Sequence, residues 1–264
     1  MVQNGSNPAP PLSLVLGTTL TLVGIGAMVY APALVSPSSV GFRGFLAICE
    51  ALLPLPALLY LAASGAPVWR TLALAPLRWS AVAWCALLGA ALWLASLGLL
   101  ELQNTVWPVP PEYIAAFRRI HDLLYPRDAK DALVSLAAIA LIPAACEEAA
   151  TRGVLLPSLR TALSPPMSIG LSAAVFALMH LDPYRTLFTF SVGLALGAVR
   201  LRTQSLWPSL IAHASLNALT FAAAPFLDDP NQPLPDPQPL LGLALLAAGS
   251  WATMLLWRRL PVSR

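Results

Sequence analysis

Apolar runs recur along the chain at about 12–35, 41–64, 79–100, 132–159, 166–181, 184–201, 205–227 and 239–257. Each is close to the roughly 20 residues that an α-helix needs to cross a hydrocarbon core. Lipid cannot satisfy open backbone groups, so helices are the expected solution. The pattern therefore predicts an all-α, polytopic bundle of about eight transmembrane helices, forming a single membrane domain over 1–264. The first run has no basic flank, and Ala31-Pro32-Ala33 is a poor cleavage site, so it reads as a retained helix.

Two stretches depart from this pattern. Residues 103–131 open with Pro108, Pro110 and Pro111 and continue as EYIAAFRRIHDLLY. Tyr113, Ile114, Phe117, Ile120, Leu123 and Leu124 share one helical face, with Glu112, Arg118, Arg119 and Asp122 on the other. That is the signature of an amphipathic helix lying in the interface, placed to roof a site. His121 reads there as a solvated residue. The second stretch, DDPNQPLPDPQP at 228–239, reads as an extended extramembrane loop.

Composition agrees with a membrane protein. Hydrophobic residues make up 58% of the chain and charged residues only 10%, against about 25% charged in a soluble domain. The net charge of +3 comes from 15 basic and 12 acidic residues. No basic patch interleaves with aromatics, so no nucleic-acid partner is expected. The basic residues read instead as topology determinants. Arg70, Arg78, Arg160, Arg200, Arg202, Arg258, Arg259 and Arg264 fall on one side of an eight-helix arrangement, which makes both termini cytoplasmic in expectation. Arg43, Arg185, the mixed-charge 103–131 region and the acidic loop fall on the other. Cys49, Cys85 and Cys146 lie in apolar runs without metal-knuckle spacing and read as packing residues. Trp84, Trp93, Trp207, Trp251 and Trp257 read as packing or interface anchors.

Ionisable groups inside membrane spans are costly and mark functional sites by default. Three clusters stand out. In Glu147-Glu148-Ala149-Ala150-Thr151-Arg152, Glu148 and Arg152 are four apart and share a helical face, so they pair. Glu147 is turned by roughly 100° from Glu148 and points elsewhere. Pro143, four residues before Glu147, is expected to kink the helix and free a carbonyl. In Phe176-Ala177-Leu178-Met179-His180, the ring packs on the histidine's face. In His213-Ala214-Ser215-Leu216-Asn217, two polar groups again sit four apart. At about 1.5 Å rise per residue, Glu147 lies roughly 20 Å above Arg160, and His180 roughly 21 Å above Pro166. His213 and Asn217 lie roughly 14–20 Å above Gln204. Three helices thus carry their polar groups to a similar depth, nearer the non-cytoplasmic face. Glu50 is also inside an apolar run and is left unplaced between the site and an internal cavity.

These residues resemble the CAAX protease and bacteriocin-processing (CPBP, Abi-type) family of intramembrane proteases. The family pattern is EExxxR, FxxxH and HxxxN on successive membrane helices. It appears here as EEAATR (147–152), FALMH (176–180) and HASLN (213–217), intact and in order. The flanking segments RGVLLPSL (152–159), GLALG (193–197) and RTQSLWPSLIAH (202–213) are similar to the family as well. The resemblance covers 147–217, within catalytic-core helices at 131–227, and the first three helices carry no signature.

The resemblance implies hydrolysis of a peptide bond in a membrane-associated protein or peptide, by C-terminal tail or leader processing. Glu147 would be the general base, activating a water together with His180. His213 and Asn217 would stabilise the oxyanion. Glu148, Arg152 and Phe176 would support them, with Glu148 and Arg152 tuning Glu147. Glu147, His180 and His213 also offer zinc ligands, so Zn²⁺ is a candidate cofactor, although no HExxH motif is present. Two other classes compete. A proton- or ion-coupled transporter also needs buried Glu, His and Arg, but the chain shows no inverted repeat. A non-catalytic immunity or binding scaffold is the other, and the intact motifs argue against it. Cys146, next to Glu147, is not expected to be a nucleophile, because the sequence places no cationic activator beside it.

Overall fold

The computed structural model describes residues 11–227 and 236–260, side chains of 224–227 excepted; most of the 228–239 loop and Arg264 lie outside them. The described residues contain helices and no strand. Helix α1 is Leu14–Tyr30, extended by a 3-10 turn, Ala31–Ala33. Then follow α2 (Phe42–Leu52), α3 (Leu55–Ala63), α4 (Trp79–Val106), α5 (Pro111–Leu124) and α6 (Ala129–Leu159). Helices α7 (Pro165–Leu178), α8 (Pro183–Thr203), α9 (Trp207–Leu227) and α10 (Pro239–Trp257) complete the chain.

Every apolar run is helical, but not every run is a full span. Among the described residues, four helices are long and apolar enough to cross a membrane: Leu14–Ala33, α4, α6 and α10. The number rises to five if α2 and α3 form one span, and these two are bent by 51° at their junction. Pro54 and Pro56 explain the break, since each removes a backbone donor and disfavours helix in the residue before it. Helix α7 is a shorter apolar helix of 14 residues. Large apolar side chains such as Leu22, Leu59, Leu133, Leu171, Leu243 and Met254 are exposed on the outer faces. In water such a surface aggregates; in a bilayer it is the lipid-facing side. The protein is an integral membrane protein.

Small residues let the helices meet backbone to backbone. A Cβ on Gly98 would lie 2.3 Å from the Leu246 amide nitrogen, and one on Gly249 2.4 Å from that of Ala95, so α4 and α10 are in direct contact. At Gly89 of α4, a Cβ would lie 2.2 Å from the Ala212 carbonyl oxygen of α9. Lipid provides no hydrophobic drive between helices, so such close packing is what holds them. Ala212 precedes His213, and the α4–α9 contact therefore fixes a site residue. Gly89→Val is expected to cost about 1–3 kcal/mol by overpacking and to reduce activity in the protein that still folds. Thermal unfolding in detergent, with turnover of the folded fraction, checks both.

The two ends of the bundle differ. At one end, the Leu206 amide donates to the Ala73 carbonyl (3.0 Å), Arg202 stacks over Trp257 (4.8 Å) and Arg259 over Trp84 (5.8 Å). This is the arginine-rich end. At the other, Arg43 of α2 donates from Nε to Ser135 Oγ (2.7 Å) and pairs with Asp131 at 3.2 Å. Its Nη2 also donates to the carbonyls of Leu124 and Tyr125, each at 3.3 Å. Arg43 thus ties α2, the end of α5 and the start of α6 together, and holds the amphipathic helix across that end.

Candidate active site

The central helix α6 is not uniformly α-helical. Two π-helical stretches, Ala137–Leu141 and Ala149–Leu155, flank the α-helical stretch Ile142–Glu148. Pro143 has no N–H for an i→i−4 bond, and the wider turn immediately before it absorbs that deficit without ending the helix. Single π-turns inside α-helices often sit at functional sites. Here the second one begins directly after Glu148 and carries Thr151 and Arg152.

Glu148 and Arg152 pair as their spacing predicts. Nη1 donates to Glu148 Oε1 at 2.8 Å, and both side chains are 0% exposed. The guanidinium is further committed to Thr151 Oγ1 (2.8 Å) and the Gly193 carbonyl (3.1 Å), and it lies over the Phe176 ring at 4.3 Å. Phe176 faces both histidines edge-on, with ring centroids 5.1 Å from His180 and 5.5 Å from His213. The ring that the sequence placed against His180 alone is therefore a spacer for the whole cluster.

Glu147 stands between the two histidines. Its Oε1 is 3.8 Å from His180 Nε2, and its Oε2 is 3.4 Å from His213 Nε2. His180 Nδ1 lies 2.7 Å from the Phe176 carbonyl, which can only accept, so Nδ1 carries the proton and Nε2 presents a lone pair toward Glu147. His213 Nδ1 lies 3.1 Å from Glu148 Oε1 and donates to it in the same way. A bare His213 Nε2 facing a bare carboxylate oxygen would be repulsive, so one proton is shared between Glu147 and His213. With that proton, the two glutamates, Arg152 and His213 sum to zero net charge, as burial of the cluster requires. Glu148 thus also acts on His213 through a direct hydrogen bond, in addition to the electrostatic effect on Glu147 that the resemblance implied.

His180 lies just beyond the C-terminal end of α7, in the reversal that leads to α8. The next residue, Leu181, adopts a left-handed backbone with φ of 51°, uncommon for a side chain of that shape. Such local strain persists only where the surroundings enforce it. Here Asp182 does so: its carboxylate accepts from the amides of Tyr184 (3.0 Å) and Arg185 (3.2 Å), capping α8, and from the Tyr113 hydroxyl (2.5 Å). Burial, and then the bond to Asp182, push the Tyr113 phenol well above its usual range, so it stays a neutral donor.

Glu147, His180, His213 and Asn217 line one cavity of about 260 Å³. Phe117, Ile120 and Leu124 of α5 form its roof, and Phe188, Val192 and Leu216 are among its walls. The amphipathic helix α5 covers the cavity that its pattern was expected to roof. His121 is corrected: it lines the cavity and packs on Phe117 with ring centroids 4.6 Å apart. One helical turn separates it from Phe117, so its own helix turns it inward. Glu50 and Arg185, the first left unplaced by sequence and the second read only as a topology determinant, also line the cavity. The signal for Glu50 was a carboxylate in an apolar run; that for Arg185 was a cation in a helix's first turn, where the dipole disfavours it. Cys146 is a free cysteine outside the cavity lining.

Among the described residues, no three His, Cys, Asp or Glu side chains are grouped to hold a metal ion. His213 Nδ1 is held by Glu148 and His180 Nδ1 by a backbone carbonyl, which leaves both Nε2 atoms facing Glu147.

A search of curated proteins and a search of solved structures each give no match. Residues 129–219 match the model of the family described as type II CAAX prenyl endopeptidase Rce1-like. The matched segment runs from the start of α6 into α9 and contains all three motifs. Over that segment the chain is similar to Rce1-like type II CAAX prenyl endopeptidases, consistent with the CPBP resemblance carried by EEAATR, FALMH and HASLN.

Proposed function

We propose that this protein is an intramembrane endopeptidase that hydrolyses a peptide bond in a membrane-associated protein or peptide, by trimming a C-terminal tail or a leader. The observation that carries this reading is the placement of the Glu147 carboxylate at 3.8 Å from His180 and 3.4 Å from His213 in a covered cavity. The match of 129–219 to a CAAX endopeptidase family supports it.

In the active protonation state Glu147 is the carboxylate and His213 the imidazolium. Glu147 Oε1 and the His180 Nε2 lone pair share one water between them. Glu147 takes a proton from that water as its oxygen bonds to the scissile carbonyl carbon. The carbonyl oxygen becomes an oxyanion, met by His213 Nε2–H and the Asn217 amide. Glu147 then passes its proton to the amide nitrogen, the C–N bond breaks as the oxyanion collapses, and a carboxylic acid, which keeps the water's second hydrogen, and an amine leave. No step is routed through a metal.

The full topology belongs to this proposal. Eight helical segments, with α2–α3 broken and α7 short, cross or enter a bacterial cell membrane, both termini are cytoplasmic, and the site opens beneath α5 toward the far face. Terminal proteomics of cells carrying the wild type or Glu147→Ala tests the activity. Specific near-membrane cleavages present only with the wild type support the reading. Unchanged termini, with a lost proton or solute flux, would replace it with transport. Asn217→Ala, which removes one oxyanion donor, is expected to lower kcat about 10²–10³-fold with little change in KM. A steady-state comparison on one cleaved peptide shows whether the loss falls on kcat.

A further inference from the structure

We propose that Arg185 is a specificity-determining residue that binds the free α-carboxylate at the C-terminus of the substrate. The proposal rests on the peptidase reading and names a substrate feature that the reading leaves open. Arg185 lines the same cavity as Glu147, His180, His213 and Asn217. Its position is built rather than incidental. Its amide is held by Asp182 Oδ1 (3.2 Å), and its carbonyl accepts from Thr189 Oγ1 (2.6 Å). The neighbouring Tyr184 carbonyl accepts from Gln103 Nε2 of α4 (2.9 Å), and Tyr113 of α5 grips the capping carboxylate. Three helices thus lock the turn that aims Arg185, and its guanidinium rests over Phe188 at 5.8 Å.

The charge at this point lacks a matched partner. A cation in the first turn of α8 opposes the helix dipole. No carboxylate among the described residues lies in ion-pair contact with the Arg185 guanidinium. Asp182 is occupied by the α8 amides and Tyr113, while Glu50 and Glu147 act on Arg185 only electrostatically. His180 and Tyr113 are the other titratable groups close enough to feel its charge. Glu50, whose Oε2 is buried with no hydrogen-bond partner, feels the Arg185 charge but makes no ion-pair contact with it. A guanidinium beside a dry wall is the geometry for bidentate capture of a planar oxyanion. A cavity of about 260 Å³ lies at the small end of ligand pockets (roughly 300–1,000 Å³), so it suits a short tail whose end carries that oxyanion. The scissile carbonyl then sits at Glu147 and the chain end at Arg185, and the separation of the two sets how many residues are released.

The test uses the full chain reconstituted in phosphatidylcholine vesicles. Its substrates are an N-palmitoylated peptide library with randomised final positions, made once as C-terminal acids and once as amides. The wild type is expected to cleave acids with kcat/KM at least about tenfold above amides, the scale of one charge-assisted contact. Arg185→Gln brings acids down to the amide level through KM, and Arg185→Lys keeps part of the preference. Equal cleavage of acids and amides by the wild type, or a preference that survives in Arg185→Gln, overturns the proposal. So does loss of all cleavage in both variants, which assigns Arg185 a structural role. If Arg185 instead holds a lipid phosphate, the variants change the response to added phosphatidylglycerol and leave the acid preference intact, which also overturns it. Absence of any Glu147-dependent cleavage of either library removes the peptidase reading itself.

Discussion

Glu147→Gln is expected to lower turnover about 10²–10⁴-fold while the protein remains folded. The amide keeps the shape of the side chain, so its contacts with His180 and His213 survive in outline. What it cannot do is accept the water's proton. A packing role for Glu147 predicts a different pattern, because the isosteric amide would then retain much of the activity or lose fold. Circular dichroism and thermal unfolding in detergent, with single-turnover cleavage of one peptide, separate these cases. A folded Glu147→Gln with turnover within a few-fold of the wild type would remove Glu147 as the base.

Arg152→Met is expected to destabilise the fold by about 3–5 kcal/mol, the largest stability effect among single changes at the site. Glu148 and Arg152 are each 0% exposed and 2.8 Å apart, so deleting the cation strands a carboxylate in a medium that cannot solvate it. The same change withdraws the donors from Thr151 and Gly193 and the cation from the face of Phe176. The second half of the prediction concerns the double variant. Replacing both partners, as Arg152→Met with Glu148→Leu, removes the stranded charge and recovers much of the stability, since a buried pair is often no better than an apolar one. Activity does not return, because His213 Nδ1 has lost the carboxylate that holds its proton in place. Unfolding midpoints for the two single variants and the double variant, with turnover for each, read out both halves. A double variant as unstable as Arg152→Met, or one that regains turnover, would show that the pair does something else.

The two predictions divide the cluster by role. In the proposed mechanism Glu147 carries the reaction, and its replacement by Gln is expected to leave the fold intact. Arg152 is expected to carry the fold, and it reaches the proposed reaction through Glu148 and His213 and through its charge. The adjacency of Glu147 and Glu148 makes this possible: one helical step turns their carboxylates about 100° apart. One faces the cavity and the other the protein interior.

Much of this was legible in the chain. Membrane-length apolar runs dictate helices because no other backbone arrangement is tolerated in lipid. The four-residue spacings in EEAATR, FALMH and HASLN dictate which polar groups share a face. Those rules gave the all-helical class, the Glu148–Arg152 pair, the Phe176–His180 contact and the convergence of Glu147, His180 and His213 at one depth. The amphipathic 111–124 helix was equally plain from its two faces, and so was its position over the site.

Other features depended on contacts between segments far apart in sequence, which periodicity does not encode. Whether an apolar run is a full span depends on bends and on what its neighbours bury, so the 51° bend between α2 and α3 appears only in three dimensions. The pairing of His213 with both glutamates required α9 to be pressed against α4 at Gly89 and against α6, a distance of 65 residues along the chain. Glu50, His121 and Arg185 stand on three different helices, and nothing local distinguishes a charge that faces water from one that faces a cavity. Sequence determined which groups must be hidden from lipid, because that cost is paid residue by residue. Tertiary structure alone decided which of those groups meet, because a proton or a charge is shared only across a distance that the packing of the helices sets.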